Sequence, residues 1–140
     1  MKIHEENITI KTKGENDIID ITPQLEHLVT TTNITSGIIT IFVGGSTGAL
    51  TTLEYEPGLK QDIPNTLERL IPKKDYYHHH ETWHDDNGHS HVRASIIGPS
   101  LTLPIRKNTL IHGTWQQIVF MELDTKPRNR TLYIQIIGSS

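Results

Sequence analysis

The residues able to do chemistry gather in one stretch, Tyr77 to Gly98, which reads YHHHETWHDDNGHSHVRASIIG. Six of the nine histidines lie there, beside the adjacent aspartates Asp85 and Asp86. A divalent metal needs neutral imidazole nitrogens or carboxylate oxygens converging on one point at about 2.0–2.2 Å. His89 and His91 are two apart, so on a strand their rings leave the same face. His80, on the far arm of the polar loop, can fold back against them, and these three histidines are the metal candidates. Asp85 sits in the loop itself, where Asn87-Gly88 permits a tight turn. Imidazoles favour zinc or another first-row ion and carboxylates favour magnesium; both ligand types are present, so the expected divalent metal is of either kind. For any single histidine the alternative is an exposed loop residue with no ligand. His80-Glu81-Thr82-Trp83-His84 spells the His-Glu-x-x-His of metalloproteases. That chemistry needs a helix, whereas Asp85-Asp86-Asn87-Gly88 directly after it reads as loop.

Three other groups carry chemical potential. Gly44-Gly-Ser-Thr-Gly48 places the hydroxyls of Ser46 and Thr47 in a loop whose backbone N–H groups can face a phosphate, although no P-loop lysine follows and turn chemistry alone explains it. Trp115 can stack on a flat ring while Gln116 bonds its edge; the alternative is a structural tryptophan closing the core. Glu122, after the apolar run Ile118 to Met121, is a candidate ligand or base, or an ordinary strand-end carboxylate. The chain has no cysteine, which removes thiolate ligands, disulfides and thiol catalysis together.

The elements that must position these groups are mostly strands. Lys2 to Lys11 alternates and leads through Thr12 to Asn16 into Asp17 to Ile21, a predicted hairpin. Thr22-Pro23 starts a helix with Leu25 and Leu28 on one face. Ser36 to Val43 is a continuous β-branched run, expected as a buried central strand, and Ser46 to Glu54 is a second extended segment. Asp62-Ile63-Pro64 opens a second helix that stops at Pro72. Further strands are predicted at Val92 to Ile97, Ser100 to Ile105, Thr109 to His112, Thr114 to Leu123 and Arg130 to Ile137, with a hairpin tip at Arg106-Lys107-Asn108. About eight strands and two helices make an α+β fold, one compact domain over residues 1–140 with mostly antiparallel strands in a sandwich-like sheet system.

Length and charge narrow the function classes. At 140 residues the chain suits a single domain. Its formal charge of -3, from 13 basic and 16 acidic residues spread along the chain, provides no basic stripe for nucleic acid. No apolar run approaches the roughly 18 residues of a membrane span, and no secretory leader opens the chain. A soluble, cytoplasmic protein is the reading.

His80, Asp85-Asp86, His91, Ser95, the segment Gly98-Pro-Ser-Leu-Thr-Leu-Pro104 and the block Gly113-Thr-Trp-Gln116 together resemble the YjbQ family over nearly the whole chain. That resemblance implies a compact α+β domain assembling as a homotrimer, with polar sites near subunit contacts and a secondary thiamine-phosphate synthase activity. It marks Glu54, His80, Asp85, His91 and Gln116 as the pocket, with Trp115 and Glu122 near it. Combined with the residue chemistry above, Glu54, Asp85, His91 and Gln116 are the catalytic candidates, Ser46, Thr47 and Trp115 the ligand-holding ones, and His80, His89 and His91 the metal set. Many family members carry a histidine in a His-Thr-Ser-like motif where this chain has Gly45-Ser46-Thr47. The implied function is a metal-assisted enzyme on a small phosphorylated substrate, joining a pyrimidine pyrophosphate to a thiazole phosphate with loss of pyrophosphate. The alternative is a non-catalytic small-molecule or metal-binding trimeric module.

Overall fold

In the computed structural model, which describes all residues from Met1 to Ser140, eight strands and four helices follow one another along the chain. They are β1 (Lys2–Lys11), β2 (Asp17–Asp20), α1 (Thr22–Thr31), β3 (Ser36–Val43), β4 (Gly48–Leu53), α2 (Pro57–Leu70), α3 (His78–Trp83), α4 (Gly88–Ile97), β5 (Ser100–Arg106), β6 (Thr109–Leu110), β7 (Gln117–Glu122) and β8 (Asn129–Ser139). The strands form two antiparallel sheets, of order β1-β8-β3-β5-β6 and β2-β7-β4. The fold class is the α+β arrangement expected.

Alternation along the strands builds the layers. Ile39, Ile41 and Val43 on β3 and Leu132, Ile134 and Ile136 on β8 point inward and are buried, while Ile38, Phe42 and Tyr133 on the opposite face are exposed. The inward face packs with α1 residues Leu25 and Val29 against Leu50, Ile118 and Phe120 of the smaller sheet. The other face of that sheet, with Ala49, Val119 and Met121, packs against Leu67 of α2 and Ala94 of α4. β7 is therefore buried on both faces, and its neighbours at either end are fixed in space by two cores. That rigidity suits a site built at a strand end.

Several expectations are corrected. β1 and β2 form no hairpin: β1 pairs with β8 and β2 with β7, so the Thr12 to Asn16 turn carries the chain from one sheet to the other. Helix α2 begins at Pro57, earlier than Asp62, because Glu56 caps it by accepting from the N–H groups of Gly58 and Leu59, with Pro57 in the first turn. Four helices form where two were expected, because His78–Trp83 and Gly88–Ile97 are helical. The predicted strand Val92 to Ile97 is thus the second half of α4. The tip of the β5–β6 hairpin is as read: Lys107 and Asn108 both have positive φ, 51° and 57°, as a two-residue type I′ turn requires.

Candidate functional site

One end of the small sheet gathers polar side chains from four segments. Gly45, Ser46 and Thr47 before β4, Asn87 and His91 at the start of α4, Asp124 after β7, and Arg128, Asn129 and Arg130 entering β8 line a cleft of about 380 Å³ with no hydrophobic residue in its wall. Its floor is a network of buried charges. Glu122 shares its parity on β7 with Phe120, so its carboxylate enters the space between the sheets and is fully buried. It accepts from Thr12 Oγ1 at 2.8 Å, from Arg130 Nε at 2.9 Å and from the N–H of Asp124 at 3.1 Å, with Arg130 Nη2 closing a forked pair. A buried carboxylate of this kind is tolerated only because each oxygen is matched by a donor.

Asp124 is the second anchor. It accepts from Arg128 Nε at 3.0 Å and Nη2 at 2.6 Å, from Thr47 Oγ1 at 3.2 Å, from Asn87 Nδ2 at 3.3 Å and from the N–H of Thr125 at 2.8 Å. Burial pushes its carboxyl pKa up, but those donors outweigh it and hold the value down at about 2. Thr47 Oγ1 also accepts from Arg130 Nη2 at 2.8 Å, linking the two ion pairs through one hydroxyl. Both arginines are thereby fixed in orientation, with Nη1 of each free of protein partners. A Cβ on Gly45 would lie 2.7 Å from Arg130 Nη1, so the missing side chain leaves this donor open to the cleft.

His91 comes from the second turn of α4. Its pKa is lowered, by burial first and by the neighbouring His79 second, against the opposing pull of Asp124 and Asp85. The ring is therefore neutral at pH 7 and offers one donor and one acceptor. His79 reaches it because His84 and Asp86, both left-handed at φ 56° and 54°, turn α3 back onto α4. The two rings lie 4.3 Å apart between centroids.

The predicted site residues divide into three places. Thr47, Ser46, Asp85 and His91 are at or beside the cleft. Glu54, Trp115 and Gln116 are at the opposite end of β4 and β7, about 20 Å away for six residues of strand. There Glu54 is exposed, Trp115 is 70% exposed, and Gln116 accepts from the N–H of Gly113 in its own turn. The metal set of His80, His89 and His91 is not brought together. On a helix, residues two apart point to opposite sides, so His91 faces the cleft while the buried His89 faces Glu15, with Nε2 2.5 Å from Oε1. His80 pairs with Asp86 at 3.0 Å on a separate hollow beside Lys73 and Tyr76. His80 and His84 do share a helical turn, with ring centroids 5.4 Å apart, yet nowhere in the molecule do three histidine or carboxylate side chains close on one metal point. Sequence reading missed His79, Asn87, Asp124, Arg128 and Arg130. The signal available was Glu122, Asp124, Arg128 and Arg130 spaced around a strand end, where charges fall on inward positions.

No helix is long and apolar enough to cross a membrane. The UPF0047 YjbQ-like profile matches residues 6–139. A UPF0047 protein of Methanothermobacter thermautotrophicus is 34% identical over 138 residues, covering 99% of this chain and 94% of its own. UPF0047 protein MJ1081 of Methanocaldococcus jannaschii is 37% identical over 130 residues, covering 92% and 91%. The crystal structure of a YbjQ-like protein of unknown function from Sulfolobus solfataricus superposes with a TM-score of 0.91 at 33% identity, over 99% of both chains. These relatives and this structure carry family designations and no enzymatic name. That overturns the reading as a metal-assisted thiamine-phosphate synthase, which rested on resemblance and on residues that lie at two ends of the sheet. By the extent of the profile match and the identity across its length, the chain belongs to the UPF0047 YjbQ-like family.

Proposed function

We propose that the cleft binds a small phosphorylated molecule through its phosphate group. The observation that carries this reading is the pair of guanidinium groups pinned by Glu122 and Asp124 with Nη1 of each left without a protein partner, under the hydroxyl-bearing Gly45–Thr47 loop. Each guanidinium is already paired with a carboxylate. Recognition therefore rests on aimed N–H and O–H donors more than on net positive charge, and pre-orientation lowers the entropy lost on binding. Ser46 Oγ and the neutral His91 ring supply further hydrogen-bonding groups, and the polar wall favours the phosphate end of a ligand over an apolar one.

Titration with inorganic phosphate and phosphomonoesters, followed by calorimetry and phosphorus NMR, tests this. Arg128→Gln is the informative variant, because Arg128 is 45% exposed and its loss leaves the buried Glu122–Arg130 pair intact. Loss of a charge-assisted contact corresponds to roughly a tenfold or greater weakening. Equal affinity in wild type and variant, or no phosphate binding to wild type, sinks the reading. We also read the assembly as a homotrimer, supported by the family resemblance and by the apolar residues exposed on the outer face of the large sheet.

A further inference from the structure

Asp124 and Glu122 pair with the two arginines of the cleft, so the cleft by itself presents aimed donors without excess positive charge. Uncompensated charge lies next to it. A second hollow, of about 340 Å³, is lined by Lys11, Thr12, Pro127, Arg128 and Asn129. Arg128 and Asn129 also line the cleft, so the two openings adjoin at these residues.

Two turns hold this arrangement. Thr12 donates its N–H to the Arg128 carbonyl at 2.8 Å, and its Oγ1 accepts from the Arg128 N–H at 2.9 Å. Lys11 stands opposite Asn129 in the β1–β8 register, so both side chains leave the same face of the sheet. Lys11 is exposed and has no ion pair or side-chain hydrogen bond within the chain. The acidic side chains of the surrounding segments are already engaged. Glu122 pairs with Arg130, Asp124 with Arg128, and Glu15 with Lys73 and His89, while Asp17 accepts from the N–H of Lys13. The Lys11 ammonium, a point charge on a flexible stem, therefore keeps its charge for a ligand.

Resting on the phosphate reading, we infer that the ligand carries a second anionic group, a phosphate or a carboxylate, which Lys11 binds in this hollow while the first phosphate occupies the cleft. Asn129, whose side-chain amide makes no hydrogen bond within the protein, borders both openings and is free to bond hydroxyls on the carbon skeleton that joins the two groups. The ligand class is a small hydroxylated phosphate ester with two anionic ends.

The test is calorimetric titration of the full-length protein, at neutral pH and fixed ionic strength, with two matched pairs of ligands. Glycerol 3-phosphate and 3-phosphoglycerate differ by a carboxylate; fructose 6-phosphate and fructose 1,6-bisphosphate differ by a phosphate. At least one doubly anionic ligand is expected to bind about tenfold more tightly than its monophosphate counterpart. Lys11→Gln, an exposed position whose replacement leaves the fold intact, removes that preference and leaves affinity for the monophosphates unchanged. Lys13→Gln, on the same turn but outside the hollow, keeps the preference. No preference in either pair overturns the inference, as does a preference that survives Lys11→Gln. Equal loss in Lys13→Gln assigns the effect to general charge and overturns the subsite. Monophosphate binding without any preference leaves the phosphate reading standing and sinks this inference alone; failure of every phosphate to bind removes both.

Discussion

Asp124 orders much of the cleft, since Thr47, Asn87 and Arg128 all donate to its carboxylate. Its folded pKa of about 2 lies below the ordinary value of 3.8, so the ionised form is favoured by folding. The resulting stabilisation is fully present above the unfolded pKa near 4 and is lost as pH falls through the folded value towards 2. A depression of that size corresponds to about 2 kcal/mol. Asp124→Asn is expected to lower stability at neutral pH by roughly that amount, leaving Arg128 without its partner. The gap between wild type and variant then closes between pH 4 and pH 2, read from urea unfolding at several pH values. A gap that stays constant over that range would assign the variant's cost to packing and not to charge. Glu15 works in the same direction: burial raises its pKa, and the bonds from His89 and Lys73 outweigh that and lower it. Its contribution is common to both proteins and cancels in the comparison.

At the scale of elements, α4 both supplies the cleft and hides itself in the sequence. Its buried positions are Gly88, His89, Ser90, Arg93 and Ala94, while Val92 and Ile96 are exposed. Hydrophobic periodicity is nearly inverted on this helix, and the β-branched Val92, Ile96 and Ile97 read as strand for that reason. Arg93 explains how such a face is buried. Its guanidinium, 1% exposed, donates to the Ile71 carbonyl at 3.0 and 2.8 Å, at the end of α2, and to Glu68 at 3.0 Å. It thus satisfies a carbonyl that the helix terminus leaves unpaired. Arg93→Ala leaves that carbonyl and Glu68 unmatched and opens a cavity, an expected loss of about 3–5 kcal/mol in urea unfolding. A loss under about 1 kcal/mol would place the α2–α4 seam in the Leu67 and Ala94 contacts alone. The same contrast governs what was legible. β5 and β8 were read correctly as strands, as was the Lys107-Asn108 turn, whereas β3, expected from its continuous apolar run as a buried strand, is central in its sheet but buried on one face only, with Ile38 and Phe42 exposed. Ser46, Thr47 and His91, singled out by their chemistry, lie together in the wall of the cleft. Asp124, Arg128 and Arg130 were less legible, because charges between strands read as a solvated turn unless the parity that Glu122 shares with Phe120 is followed to the strand end. His79 needed the left-handed turn at His84 and Asp86, which brings α3 onto α4 and which non-glycine residues do not advertise.

At the scale of the molecule, the large sheet has one face in the core and one uncovered. Phe42 on β3 is in register with Tyr133 on β8, and both are about half exposed, with Ile38 two positions along the same face. Large apolar side chains grouped in this way on a sheet face mark a surface that another chain covers. A second copy of this chain is the occupant implied by the family resemblance, which also sets the number at three. Light scattering of the eluted protein is expected to give three times the 15.9 kDa of one chain. Phe42→Glu separates the interface from the fold, because the side chain points away from the core and its replacement disturbs no buried contact of the single chain. Burying a carboxylate against Tyr133 and its counterpart on another copy has no compensating donor and costs several kcal/mol. The variant should therefore elute as single chains with an unchanged circular dichroism spectrum. Wild type running as a monomer would overturn the trimer. A trimer that withstands Phe42→Glu would move the contact to another surface, and the uncovered sheet face would then need a different partner to explain it.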